Sequence, residues 1–128
     1  MRAAVVTRYG PPEVIEVREV PVPVPRRKEV LVRVVAATVN SGDARIRGAN
    51  FPRGFALPAR LGLGLRRPRN PVLGVVFSGE VIDIGHGVDD VQVGSHVTGM
   101  TGMAMGAHAD HLTVNARRVV LKPDTVSH

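Results

Sequence analysis

The chain has 128 residues, a length that suits one domain with a single hydrophobic core. It contains no cysteine, which excludes disulfides and thiolate metal sites, and no apolar run approaches the ~18 residues of a membrane helix. The net charge of +6 is concentrated in Ala44–Asn70, which holds seven arginines and no acidic residue. We interpret this segment as a solvated basic loop, with anionic-ligand binding as the alternative. Because no aromatic residues are interleaved to stack on bases, we expect no nucleic-acid partner. Met1–Gly10 has no signal-peptide layout, so together with the lack of a long apolar run we expect a cytoplasmic protein without a membrane partner.

The N-terminal part of the chain predicts strands separated by turns. Arg2–Thr7 alternates weakly, and Val14–Val20 sets apolar residues against charged ones, as in a half-buried strand. Three prolines follow at every second position and imply an extended edge without ladder hydrogen bonds. The valine-rich stretch Glu29–Val39 predicts a long strand. Asn40–Gly48 begins with a cap-like residue and loses the two-residue alternation, which predicts a short helix.

The rest of the chain also favours β structure. Ala49–Asn70 is interrupted by glycine and proline, with a predicted helical turn near Ala59–Leu65. Glycines recur inside the following β-branched runs, where they suit bulges, corners and close approach of backbones in a small barrel. The predicted strands are Val75–Ile84, Ser95–Met100, Ala109–Val114 and Arg118–Leu121.

Four stretches in this order carry a family resemblance: RAAVVTRYGPPEVIEVREVPVPVP, EVLVRVVAATVNSGDARIRG, NPVLGVVFSGEVIDIGHGVDDVQVGSHVTG and GMTGMAMGAHADHLTVNARRVVLKPDTVS. Together they resemble the N-terminal GroES-like catalytic domain of the medium-chain dehydrogenase/reductase superfamily, and more narrowly its zinc-free quinone-oxidoreductase-like branch. The resemblance covers essentially all 128 residues. It implies a mainly β fold, a GroES-like partly open β-barrel with a few short helices, as one domain over residues 1–128.

Asn40 is the first candidate for a catalytic and cofactor-binding residue. As an N-cap it would only start a helix, with Asp43 three residues later favouring the positive helix end. The resemblance implies more, because zinc-dependent relatives have a zinc-binding cysteine here and the quinone-reductase branch has an asparagine near the nicotinamide. Asp43 fits the family's Asn-x-x-Asp pattern and is a second catalytic candidate, although capping or orienting a neighbour is the expected role.

We expect no metal site. Zinc-dependent relatives read Gly-His-Glu where this chain has Gly74-Val-Val76, and valine offers no lone pair. This substitution also removes the polar residue that zinc-free relatives often have. On a strand, residues 108 and 110 share a face and residue 111 points away, so His108, Asp110 and His111 would not converge on a metal. Similar proteins carry Gly-Ala-Tyr-Ala-Glu-Tyr here, so the resemblance implies that the two histidines occupy aromatic positions of the family.

The methionine-rich stretch Met100–Gly106 has two interpretations. Its thioethers can line an apolar substrate pocket, or they can fill core and loop space, which we favour slightly. Thr101 lies in this stretch and is a candidate cofactor-binding residue, since its hydroxyl would be near the same cleft.

No Gly-x-Gly-x-x-Gly motif follows a strand and opens a helix in this chain, so we expect its Rossmann cofactor domain to be absent. The resemblance implies the substrate-side domain of a zinc-independent oxidoreductase that uses NADP or NAD. The reduced cofactor, NADPH or NADH, would deliver a hydride to a quinone, enone or related carbonyl compound. We expect the isolated chain to be inactive, to bind no cofactor and to self-associate or need a Rossmann partner. The alternative is a non-catalytic barrel module used for binding or self-association.

Overall fold

The computed structural model describes residues 1–128 and is mainly β. Strands β1 (Arg2–Val6) and β2 (Ile15–Glu19) form an antiparallel pair. Five further antiparallel strands form a second sheet in the order β6-β3-β4-β5-β7. They are β3 (Glu29–Ala37), β4 (Val76–Ile84), β5 (His96–Met100), β6 (His111–Asn115) and β7 (Val119–Leu121). Because β6 and β7 remain edges, the sheet does not close, which confirms the predicted partly open barrel.

Two short α-helices interrupt the strands, α1 (Ser41–Gly48) and α2 (Ala56–Leu63). The prediction of α1 with Asn40 as its cap is confirmed. Helix α2 begins at Ala56, earlier than the turn predicted near Ala59–Leu65. The sequence does not indicate this start, because the N-cap residue Phe55 makes no side-chain hydrogen bond to the helix. Neither helix has the length and apolar character to cross a membrane.

Two hydrophobic clusters replace the single core that the length suggested. The larger cluster lies on the five-stranded sheet, where valines such as Val30, Val32 and Val81 are fully buried beside Phe77. The smaller cluster joins the first strand pair to the loops and consists of Val6, Val14, Leu73 and Met105. The division arises because β1 and β2 form a separate sheet, connected to the rest by single bridges at Ala3–Ala109 and Val5–Val72.

The segment before β6 differs from the prediction. The strand starts at His111 rather than at Ala109, and Ala109 makes only an isolated bridge to Ala3. The carbonyl oxygen of Asp110 accepts from the N–H of Val34 in β3, while the N–H of Asp110 donates to the carbonyl oxygen of Arg2 in β1. The backbone therefore bends from one sheet to the other at Asp110, and the alternation assumed for residues 108 to 111 does not hold.

Candidate functional site

Asn40 lies at the exposed junction between β3 and α1, where its side chain caps the helix. Its Oδ1 accepts hydrogen bonds from the backbone N–H groups of Gly42 (2.8 Å) and Asp43 (3.2 Å). Asp43 Oδ2 in turn accepts from the Asn40 backbone N–H at 3.0 Å, which completes a capping box. The Nδ2 group of Asn40 has no hydrogen-bond partner in this arrangement. The amide is therefore held by its oxygen, while its two N–H donors remain available at the surface.

Asp43 is buried, with 4% of the residue exposed, and lies between the cap and a histidine. The Nε2–H of His108 donates to the Thr38 carbonyl oxygen at 3.0 Å, and the same Nε2 lies 4.0 Å from Asp43 Oδ2. The other oxygen of Asp43, Oδ1, is buried without a partner. Asn40, Asp43 and His108 therefore form one polar cluster at the β3–α1 junction.

His108 is the member of this cluster that the sequence analysis missed. The resemblance predicts an aromatic position for it, and no local signal pairs it with a helix that begins 67 residues earlier. The bend before β6 directs it toward the junction, whereas His111 belongs to the strand and its Nδ1 is buried without a partner. No three His, Asp or Glu side chains lie close enough together to hold a metal ion jointly.

Thr101, the predicted cofactor-binding residue, is buried in the turn after β5. Only 3% of the residue is exposed, and its hydroxyl lies 3.3 Å from the carbonyl oxygens of Gly74 and Val75, to which it can donate. Its backbone N–H also donates to the Val75 carbonyl at 2.8 Å. Thr101 therefore fastens the turn after β5 to the segment before β4. It shares no hydrogen bond with Asn40 or Asp43, and its cofactor-binding role stays a prediction.

The methionines of the loop after β5 divide between core and surface. Met105 is buried in the smaller hydrophobic cluster, in agreement with the favoured packing interpretation. Met103 is exposed and lines a cavity of about 300 Å³ together with Ile46 and Leu63. The cavity lies between α1 and the end of α2. The second interpretation, a methionine that lines an apolar pocket, therefore also applies to Met103.

Three groups with a shifted pKa lie outside the polar cluster. Burial raises the pKa of Tyr9, although the positive charge of Arg60 acts in the opposite direction. A hydrogen bond from the Arg2 backbone N–H and the adjacent Arg2 guanidinium lower the pKa of Asp110. Desolvation, assisted by the charges of Lys122 and His96, lowers the pKa of His128. His128 contacts His96, with 2.8 Å between its Nε2 and His96 Nδ1.

Comparison with known proteins places this arrangement in a family. Residues 26–124 match the alcohol dehydrogenase GroES-like domain. The chain is 31% identical over 111 residues to the mitochondrial NAD(P)H oxidoreductase RTN4IP1 of Dictyostelium discoideum, covering 86% of this chain and 29% of that protein. It is 34% identical over 98 residues to the quinone oxidoreductase of Rattus norvegicus, covering 76% of this chain and 26% of that protein.

Solved structures give the same assignment. The quinone oxidoreductase of Coxiella burnetii superposes with a TM-score of 0.83 at 29% identity, over 99% of this chain and 38% of that chain. An alcohol dehydrogenase superfamily protein of Novosphingobium aromaticivorans gives 0.79 at 31% identity, over 99% and 36%. The chain thus spans well under half the length of these relatives. It belongs to the alcohol dehydrogenase GroES-like domain family, within the quinone-oxidoreductase-like part of the medium-chain dehydrogenase/reductase superfamily.

Proposed function

We propose that this chain is the substrate-side domain of a zinc-independent, NAD(P)H-dependent oxidoreductase that reduces quinones, enones or related carbonyl compounds. The observation that carries the proposal is that the oxygen and the nitrogen of the Asn40 side-chain amide have different roles. Its oxygen is occupied by the helix cap, so its orientation is fixed, and its N–H donors are free at the surface. A fixed donor of this kind suits a carbonyl oxygen that gains negative charge during reduction.

At the β3–α1 junction, the residue that fits a nicotinamide is Asn40, through its side-chain amide. An amide N–H can donate to the carboxamide oxygen of the cofactor or to the carbonyl oxygen of the substrate. NAD(P)H, when bound, supplies the hydride for the reduction. Asp43 holds the Asn40 backbone and is a positioning residue in this proposal. Thr101 is the second proposed cofactor-binding residue, and its hydroxyl also holds the Gly74–Val75 backbone.

Zinc independence rests on the chemistry of the side chains. The chain has no cysteine, asparagine occupies the position of the zinc-binding cysteine, and Val75 and Val76 follow Gly74. Polarisation of the carbonyl group then depends on hydrogen-bond donors. We further propose that residues 1–128 alone neither bind NAD(P)H with micromolar affinity nor turn over quinones, because they contain no dinucleotide fingerprint. A cytoplasmic location is part of the same proposal.

A chimaera tests the function directly. Residues 1–128 would replace the corresponding N-terminal segment of the Coxiella burnetii quinone oxidoreductase, whose fold they match. We expect NADPH oxidation that depends on an added quinone or enone. A chimaera that folds and binds NADPH but reduces neither class of compound would instead favour the non-catalytic binding module, which the loss of a polar side chain at Val76 also supports.

Three substitutions at Asn40 separate capping from catalysis in this chimaera. Asn40→Asp and Asn40→Ser keep an oxygen that caps the helix but lack the amide donor, whereas Asn40→Ala removes both. We expect all three to lose on the order of 10²-fold in turnover, by analogy with removal of an oxyanion donor. Only Asn40→Ala should also lose about 1 kcal/mol of unfolding free energy. Full turnover by the aspartate and serine variants would show that Asn40 is only a cap.

A further inference from the structure

A cavity of about 1020 Å³ lies away from the Asn40 cluster, between β1 and the loop that follows α2. Its lining includes four arginines and no acidic residue: Arg18, Arg66, Arg67 and Arg69. The other wall is apolar, with Val5 and Leu61 and Leu65 facing the same space. The volume is at the upper end of the range for small-molecule sites, about 300–1,000 Å³.

The positive charge of this cavity is poorly compensated. Arg18 pairs with Glu16, with 2.5 Å between Nη2 and Oε2, and Arg69 donates to the Leu61 carbonyl oxygen at 2.9 Å. Arg66 and Arg67 take part in none of the ion pairs of the structure. Since arginine remains protonated at every physiological pH, these two exposed guanidinium groups give the cavity a permanent positive charge that attracts anions.

The loop that carries the arginines is held at several points. Gly64 has φ +123°, and a Cβ atom there would lie 1.9 Å from the Arg67 carbonyl oxygen, so the chain folds back tightly at this position. The Arg69 N–H donates to the Leu63 carbonyl at 2.7 Å and closes the loop. Tyr9 Oη donates to the Gly64 carbonyl at 2.7 Å and ties the loop to the first strand pair. The backbone beneath the arginines is therefore supported, which lowers the entropy cost of binding.

We propose that this cavity binds a small amphiphilic phosphate ester, with its phosphate groups on Arg66 and Arg67 and its apolar body against Leu61 and Leu65. Guanidinium groups match phosphate oxygens in bidentate geometry. The exposed leucines beside them offer an apolar surface that inorganic phosphate would leave uncovered. A nucleic-acid strand fits less well, because no aromatic side chain lines the cavity to stack on a base.

Calorimetry on residues 1–128 with geranyl diphosphate and with inorganic pyrophosphate tests this site. We expect both to bind, and geranyl diphosphate to bind at least about tenfold more tightly because of its apolar chain. Arg66→Gln/Arg67→Gln should weaken both ligands by about 10- to 100-fold. Leu65→Ser should weaken geranyl diphosphate but leave pyrophosphate unchanged.

A second pair of arginines provides the matched control. Arg45→Gln/Arg53→Gln removes the same charge from the same basic segment but lies outside the cavity, so affinity should change little. Equal weakening by the two double variants would overturn the proposal in favour of unspecific attraction by the net charge. Failure of geranyl diphosphate and pyrophosphate to bind would also overturn the proposal. Tighter binding of a short DNA duplex than of geranyl diphosphate, at the same salt concentration, would overturn it as well.

Discussion

Asp43 illustrates at the residue scale how a folding contact and the candidate site share atoms. Carboxylates are rarely buried without a partner, because the charged group loses its hydration. Asp43 Oδ2 compensates by accepting from the Asn40 N–H at the positive end of α1, and His108 lies 4.0 Å away. The contact that holds the helix start therefore also fixes the backbone that carries the Asn40 amide.

Replacement of Asp43 by alanine should destabilise the fold measurably. Asp43→Ala leaves the Asn40 N–H without its acceptor, and we expect a loss of about 1–3 kcal/mol in the free energy of unfolding in urea. Asp43→Asn keeps an acceptor oxygen and should lose less. Asp89→Ala serves as the control, since Asp89 is exposed and should change stability by no more than about 0.5 kcal/mol. An alanine variant as stable as the unmodified chain would contradict the capping role.

At the scale of elements, β3 and β4 depend on one glycine for their close approach. Gly79 pairs with Val34 beside a register shift in β3. A Cβ atom at Gly79 would lie 2.1 Å from the Arg33 carbonyl oxygen and 2.8 Å from Val32 Cγ1. The first of these is backbone, so the clash can be relieved only if the two central strands separate.

Two glycine-to-alanine substitutions should therefore have opposite effects. Gly79→Ala should lower the free energy of unfolding by about 1–3 kcal/mol, because the added methyl group overpacks the sheet. Gly62→Ala lies in α2, where nothing is within 4 Å of the added atom, and should raise stability by up to about 1 kcal/mol. Thermal or urea unfolding of both variants gives the comparison. A neutral Gly79→Ala would show that the strands adjust without cost.

The elements also show which features a sequence can predict. Strand β3 and helix α1 follow from local chemistry, since valine runs favour strands and the Asn40–Asp43 spacing forms a capping box. The start of α2 carries no cap, and Ala109 leaves β6 because of a bridge to β1, a contact over 106 residues. The His108–Asp43 approach and the arginine cavity likewise depend on distant segments, so periodicity alone could not predict them.

At the scale of the whole molecule, apolar side chains remain exposed near the candidate site. The residues from Val35 to Asn40 are all exposed, and Val35 and Val39 are 57% and 81% accessible. Val120 and Leu121 on the edge strand β7 are also exposed. Soluble monomers rarely leave contiguous apolar patches larger than about 300–600 Å² uncovered, and an unpaired edge strand can add further strands.

Residues 1–128 in isolation should therefore self-associate through the end of β3. We expect the mean mass from light scattering and sedimentation to rise with concentration. Val35→Thr/Val39→Thr keeps the β-branched shape but makes this surface more polar, and should shift association to higher concentration. Val17→Thr/Val24→Thr changes two valines of similar exposure (75% and 78%) elsewhere in the chain and should leave association unchanged. Equal effects of the two double variants would place the interface elsewhere. A monomer at every concentration, with a high unfolding midpoint, would show that the exposed valines need no partner.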